Sequence, residues 1–229
     1  MNYKRAILLI IIIAVAVAYA ADITGMLVKP GPPESNSSRV LAASEVRNYQ
    51  GERLSSVTDF RENSIKGPQQ VNMSIYRLEI GGLVTTPQSL TYNEVTALPD
   101  YQKVVTLHCV EGWEAKILWE GVKVSDLLNK AGVMTDANTV IFYAYDGYST
   151  SLPLDYIEKN DILLAYGMNN VTLPEDRGYP FQLVAEDRWG YKWIKWVTKI
   201  ELSNDPSYRG YWERRGYSIG GDTGNPFFG

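Results

Sequence analysis

Short apolar or alternating runs, each closed by turn residues, recur through the second half of this chain and commit it to a β-rich fold. Val104–Leu107 runs into His108-Cys109 and the turn Gly112-Trp113. Thr139–Tyr145 ends at Asp146-Gly147. Ile162–Tyr166 and Phe181–Ala185 are apolar enough to be buried strands. Ile75–Ile80 alternates before Gly81-Gly82. So does Ile194–Leu202, with Ile194, Trp196, Ile200 and Leu202 on one face and Lys195, Lys199 and Glu201 on the other. Helical signals are brief. Thr91-Tyr92-Asn93-Glu94 is a capping-box pattern, closed near Pro99, and Ser125–Gly132 reads as a two-turn helix capped by Ser125 and ended by glycine. These elements predict an α+β fold, a single β-rich mixed domain with short helices over residues 72–217. A lead-in segment over 22–71 precedes it and a tail over 218–229 follows.

Residues 1–21 stand apart. Lys4-Arg5 precede an unbroken apolar run from Ala6 to Ala21, ended by Asp22. A membrane span takes about 20 residues, so the run reads as a signal peptide with a small-residue site at Ala18-Tyr19-Ala20, or as an N-terminal membrane anchor. Either reading places the domain outside the cytoplasm, periplasmic or on the cell surface, secreted or tethered by a mobile Pro/Gly/Ser-rich stretch over Lys29–Ser38. The net charge of -4 gives no electrostatic case for nucleic acid, and a single histidine argues against a His-rich zinc site.

Cys109 is the only cysteine. It can ligate a metal, attack an electrophile or fill the core, but it has no partner for an intramolecular disulfide. His108 does not complete a Cys–His dyad, because adjacent residues on a strand point to opposite faces. An exported protein with one unpaired cysteine is unusual, and commitment to a metal would protect the thiol from oxidation. With no supporting histidine or cysteine, the soft sulfur suits a metal whose other ligands come from a cofactor. Trp113 and Tyr148 follow turns at strand ends and are the aromatic candidates for a pocket. The remaining Trp and Tyr residues read as core or interface aromatics.

The segments Leu107–Trp113, Leu118–Val122, Asp146-Gly147-Tyr148, Gly178-Tyr179-Pro180, Gly190–Lys195 and Gly210–Glu213 occur in that order around the lone cysteine. Together they resemble the molybdopterin-binding oxidoreductase domain of the sulfite oxidase family, in its small, exported, single-domain form. The resemblance implies that Cys109 ligates molybdenum beside the dithiolene of one pyranopterin. It implies that Asn63, in Phe60–Ser64, contacts the cofactor, with Ser64 where relatives carry histidine. Gly190, Tyr191 and Lys192 would hold the terminal phosphate, Lys192 lying on the same strand face as Ile194. Gln182 stands where many relatives place arginine, which implies weaker phosphate binding or binding shared by Lys192, Lys195 and Arg177 or Arg188, four residues that read equally well as solvated surface charges. The implied activity is two-electron oxygen-atom transfer on a small sulfoxide or sulfur oxide, with sulfoxide reduction ahead because no arginine-rich anion pocket is evident. No Cys-x-x-Cys-His motif is present, so electrons would pass through a separate partner, a membrane haem protein or a cytochrome. Lys4-Arg5 is not a twin-arginine pair. That departure keeps open a rival, a cofactor-free binding or scaffold module on the same fold. A thiol-based redox protein would lack its resolving cysteine.

Overall fold

The computed structural model describes residues 41–229, so the N-terminal apolar run and the tether lie outside the described residues. Among those described, no helix is long and apolar enough to cross a membrane. A two-stranded ribbon, β1 (Asn48–Tyr49) and β2 (Glu52–Arg53), opens the description. Two sheets follow. One joins β3 (Leu78–Gly82), β4 (Gln88–Leu90), β7 (Thr139–Ala144), β8 (Ser149–Pro153) and β12 (Val197–Ser203) in the order β4-β3-β12-β7-β8. Its β3–β12 pair is parallel and the rest antiparallel. The other runs β10-β9-β6-β5, built from β5 (Tyr101–His108), β6 (Glu114–Lys123), β9 (Leu163–Met168) and β10 (Val171–Thr172), with β11 (Gln182–Val184) also paired to β9.

Three short helices connect the strands: α1 (Tyr92–Thr96), α2 (Val124–Ala131) and α3 (Leu154–Lys159). The capping box on α1 is present, with Thr91 Oγ1 accepting from the Glu94 N–H and the Glu94 carboxylate accepting from the Thr91 N–H. Ser125 is not the cap of α2. Strand β6 runs directly into the helix, Lys123 is the N-cap without a side-chain bond, and the Val124 N–H donates to the Ile162 carbonyl. Gly132 ends α2 at φ 72°, as the sequence predicts.

The β5–β6 hairpin sets the position of the cysteine. Val105, Leu107 and Cys109 are buried while Thr106 and His108 between them are half-buried, the period-two pattern of a strand with one face on the core. Trp119 on β6 is fully buried, donates Nε1 to the Val105 carbonyl at 3.3 Å and packs on Trp193 at 5.7 Å. At Gly121 the ladder shifts register, and β9 crosses so closely that a Cβ would strike the Leu164 carbonyl.

The lead-in is fastened to this sheet by buried polar contacts. Asn169 is 0 % exposed. Its Oδ1 accepts from the Leu118 N–H at 3.1 Å, and its Nδ2 donates to the Glu45 carboxylate at 2.9 Å and the Ser55 carbonyl at 2.8 Å. Leu54 and Val57 are buried beneath that knot. Residues 218–229, read from sequence as a tail, fold back onto the domain: Arg188 pairs with Asp222, and Tyr217 bridges Phe228.

Candidate active site

Cys109 is the first residue beyond β5, and its sulfur continues the core-facing parity of Val105 and Leu107. The turn behind it is tight: the Cys109 N–H donates to the Trp113 carbonyl at 2.9 Å and the Gly112 N–H to the Cys109 carbonyl at 3.0 Å. Gly112, at φ 86°, supplies the left-handed residue. The Glu111 N–H donates to Sγ at 3.5 Å, and Asn63 Nδ2 reaches it at 3.6 Å from the lead-in. Burial pushes the thiol pKa up and the Glu111 carboxylate adds to that, while the Glu111 N–H and the Asn63 amide favour the thiolate. His108 points away, as strand geometry requires, its Nδ1 lying 3.1 Å from Glu114 directly across the hairpin.

Around the sulfur the lead-in forms one wall. Phe60 packs on Trp113 at 5.7 Å, and Trp113 Nε1 donates to Glu111 Oε2 at 3.3 Å, which also accepts from Asn63 Nδ2 at 3.3 Å. Arg177 fixes that wall from behind. It is buried, donates to the Val57 carbonyl at 2.9 Å and the Phe60 carbonyl at 2.8 Å, and stacks on the Phe60 ring at 4.1 Å. Arg188 pairs with Asp222 over the Tyr156 ring. The two arginines thus have protein partners.

The Gly190–Lys192 turn touches the cysteine from the other side. Trp189 bridges His108, and a Cβ on Gly190 would lie a tight 3.3 Å from the His108 carbonyl oxygen and in ordinary contact, 3.5 Å, with the Cys109 Cα. Tyr191 and Tyr148 brace the turn: Tyr148 donates its hydroxyl to the Tyr191 carbonyl at 2.5 Å, and the Tyr191 hydroxyl donates to the Ser218 carbonyl at 2.7 Å. Burial raises the Tyr148 phenol well above its usual value, with the nearby Glu213 charge adding to it. Trp113 therefore lies beside the sulfur, and Tyr148 supports the turn.

The position expected of Lys192 needs correction. It sits in a 3-10 turn rather than on a strand, because β12 begins only at Val197 and Trp196 takes φ 53°, which breaks the parity read from Ile194. Its ammonium is fully buried, 2.7 Å from Glu213 Oε1 and 3.2 Å from Thr150 Oγ1. Lys195 is also ion-paired, with Glu62, the residue before Asn63, but its side chain keeps 14 % exposure. Gly178 and Gln182 adjoin it: a Cβ on Gly178 would come within 3.0 Å of the Lys195 Cβ and 3.2 Å of the Gln182 Cβ. Sequence reading missed Glu62, Glu111 and Glu213. Glu111 and Glu213 lie inside segments that carry the family likeness, and Glu62 is next to Asn63, but nothing local marks their partners.

One sulfur at a strand end, with two N–H donors directed at it, can present a soft ligand to a metal whose other ligands come from a cofactor. Among the described residues no group of three or more His, Cys, Asp and Glu could hold a metal unaided. The family model for the oxidoreductase molybdopterin binding domain matches residues 65–212. "Uncharacterized oxidoreductase YuiH" of Bacillus subtilis is 36 % identical over 156 residues, covering 68 % of this chain and 78 % of that one. "Putative protein-methionine-sulfoxide reductase subunit YedZ1" of Azospira oryzae is 34 % identical over 151 residues, covering 66 % and 57 %. Human mitochondrial sulfite oxidase is 29 % identical over 189 residues, covering 69 % of this chain and 34 % of the enzyme. The crystal structure of the sulfane dehydrogenase SoxCD from Paracoccus pantotrophus superposes with TM-score 0.60 at 23 % identity, over 80 % of this chain and 51 % of that one, a likeness of fold. The chain belongs to the molybdopterin-binding oxidoreductase family of sulfite oxidase, and is a molybdenum-dependent oxidoreductase by that membership.

The residues present fit the cofactor. Cys109 offers the soft ligand, Asn63 and the Glu111 N–H offer donors beside it, and Ser64 Oγ is buried with no partner next to Asn63. Asn63, Ser64, Cys109, the Gly190 backbone and Lys195 are the groups that would hold it there. When bound, the group supplies a metal centre for two-electron oxygen-atom chemistry.

Proposed function

We propose that this chain is an extracytoplasmic oxidoreductase, exported or tethered by its N-terminal apolar run, that reduces a small neutral sulfoxide. In the overall reaction two electrons and two protons enter, the S–O bond breaks, and the oxygen leaves as water beside the sulfide. The observation that carries the substrate choice is the charge at the mouth. The exposed Glu111 carboxylate stands next to the cysteine with Trp113 and Asn63 on it, while the buried Arg177 guanidinium holds backbone carbonyls. An anion held about 6 Å from that carboxylate pays roughly 1–3 kcal/mol of repulsion at an effective dielectric between that of a protein surface and water. A sulfoxide, which is neutral, does not. Trp113 and Phe60 give its apolar substituents a wall. The name of the YedZ1 relative, a methionine-sulfoxide reductase subunit, supports both the substrate class and a separate electron partner.

The test is protein made in a host that synthesises the cofactor. Molybdenum should be present near one equivalent, and turnover of dimethyl sulfoxide with a reduced viologen dye should exceed sulfite oxidation. Glu111→Gln should narrow that preference by about tenfold or more, as loss of the repulsion implies. Cys109→Ser should abolish turnover while leaving thermal stability within a few degrees of wild type. Wild-type protein with sulfite as the better substrate would overturn the substrate assignment. Absence of molybdenum and turnover would favour the binding-module reading.

A further inference from the structure

Outside the site, the segment 208–217 and the C-terminal residues 218–229 form a surface of unusual composition. Arg209, Arg214 and Arg215 are all exposed, on a chain whose net charge is -4. Their guanidinium groups donate to backbone carbonyls, Arg209 to Glu213 at 3.3 Å, Arg214 to Arg209 at 2.8 Å and Arg215 to Tyr211 at 2.6 Å. Among the described residues, no carboxylate lies within ion-pair distance of any of the three. Beside them is a cluster of rings. Trp212 packs on Tyr217 at 5.0 Å, Tyr217 on Phe228 at 4.8 Å, and Phe227 on Phe228 at 4.8 Å, with Phe228 60 % exposed. The cluster is held in place by the Ser218 N–H to Phe227 carbonyl bond at 2.9 Å and the Tyr217–Phe228 bridge. Arg215 also stacks on the Tyr211 ring at 3.6 Å, and arginine without a carboxylate partner beside ordered Trp and Tyr is the composition of interface hot spots.

This surface connects directly to the site. Phe227 packs edge-on to Trp189 at 5.7 Å, Trp189 donates its N–H to the Gly221 carbonyl at 2.7 Å, and the next residue, Gly190, lies against Cys109. From the exposed Phe228, ring contacts run through the half-buried Phe227 to Trp189, the residue that bridges His108 at the end of the cysteine strand. The geometry points to this basic, aromatic face as the docking surface for the electron partner, a protein with an acidic patch around an exposed redox group. The inference rests on the reading that electrons reach this chain from a separate protein. Charge complementarity selects the acidic partner, and adjacency to Cys109 selects a redox one.

Binding decides the surface without reference to turnover. The soluble domain of cytochrome b5, a small acidic haem protein, and cytochrome c, a basic one of similar size, are titrated against the full-length protein at 20 and 200 mM salt. Expected is salt-sensitive binding of the acidic protein only. It should weaken tenfold or more in the triple variant Arg209→Gln/Arg214→Gln/Arg215→Gln and measurably in Phe228→Ser. Turnover of dimethyl sulfoxide supplied by reduced cytochrome b5 should show a raised KM for that donor in the triple variant, while viologen-driven turnover stays at the wild-type rate. Equal binding by wild type and the triple variant, preference for the basic protein, or no binding of either would overturn the assignment. So would binding of the wild type, and not of the variant, to phosphatidylglycerol vesicles with cytochrome b5 binding unchanged, which would make this a membrane-facing surface. If wild type has no viologen-driven turnover but the acidic protein still binds through the arginines, the proposed activity fails and the docking surface stands.

Discussion

Replacing Glu213 by glutamine tests how the glycine turn beside Cys109 is held. In the native protein Glu213 Oε1 accepts from Lys192 Nζ at 2.7 Å and from Thr150 Oγ1 at 2.6 Å, and both charged side chains are 0 % exposed. Glutamine keeps the shape and one acceptor oxygen but leaves the Lys192 ammonium without a counter-charge in the interior. Breaking a buried pair from one side costs about 3–5 kcal/mol. At about 2–4 °C per kcal/mol for a domain of this size, the melting temperature should fall by roughly 6–20 °C. The double variant Lys192→Met/Glu213→Leu removes both charges, a change that is neutral or stabilising by about 1–4 kcal/mol. It orphans the Thr150 hydroxyl at about 1–3 kcal/mol, so it should melt near wild type. The pH response has a definite sign. Burial already lowers the Lys192 pKa, and Glu213 partly opposes that. Without Glu213 the folded-state value falls further, while the unfolded chain keeps an ordinary lysine near 10.4. Between those values the unfolded state binds more protons, so the stability of Glu213→Gln should rise with pH and its deficit should narrow from pH 7 to 9.5. The exposed Lys159–Asp155 pair is the control, and Lys159→Ala should leave the melting curve unchanged. Glu213→Gln melting with wild type at pH 7, or a deficit that widens with pH, would refute the reasoning.

Gly121→Ala should destabilise by about 1–3 kcal/mol or more, since its Cβ meets Leu164 backbone that cannot swing aside; denaturant titration measures it. Asn169→Ala strands the Leu118 N–H and the Ser55 carbonyl at about 1–3 kcal/mol each, and puts a residue without Asn's tolerance at φ 50°. Added protease should then make cleavages between residues 41 and 60 that the wild type resists.

What could be read from sequence divides by the range of the interaction. The Thr91 capping box spans one helical turn and is carried entirely by its own residues. The β5 alternation likewise placed Cys109 at a strand end and His108 on the opposite face. Ser125 failed as a cap because β6 extends into α2 and the carbonyl of Ile162, just before β9, not a side chain, receives the first helical N–H. The parity argument for Lys192 failed for a related reason. Ile194–Leu202 alternates in sequence, yet Trp196 at positive φ breaks the parity and the strand starts only at Val197, with a further register shift between Val197 and Lys199. Asn63 was reached through family likeness alone; its amide meets a sulfur 46 positions away, a distance that no periodicity spans. Glu213 was quoted within a motif, but its role comes from a buried partner that sequence spacing does not indicate.

The two lysines of the Gly190–Lys195 stretch now have different prospects as phosphate ligands. Each is paired with a glutamate, Lys192 with Glu213 from the C-terminal segment and Lys195 with Glu62 from the lead-in. Burial lowers both ammonium pKa values, and the glutamates oppose that shift, so both pairs are needed to keep charge in the interior. They differ in access: Lys192 is sealed, whereas Lys195 and Glu62 keep 14 % and 10 % exposure. A phosphate approaching Lys195 meets the ammonium and, beside it, a carboxylate of like charge. Glu62→Gln removes the repulsion and keeps an oxygen for the lysine. If Lys195 holds the phosphate, cofactor retention after dilution should improve in Glu62→Gln and fall about tenfold or more in Lys195→Ala, the worth of one charge-assisted bond at about 1.5–3 kcal/mol. If Lys195 only pins the lead-in, both variants should lose thermal stability and neither should gain retention. Improved retention in Glu62→Gln together with a lower melting temperature would show the carboxylate serving the fold at the expense of the cofactor's hold. Retention falling in both would place the phosphate elsewhere and remove Lys195 from the site.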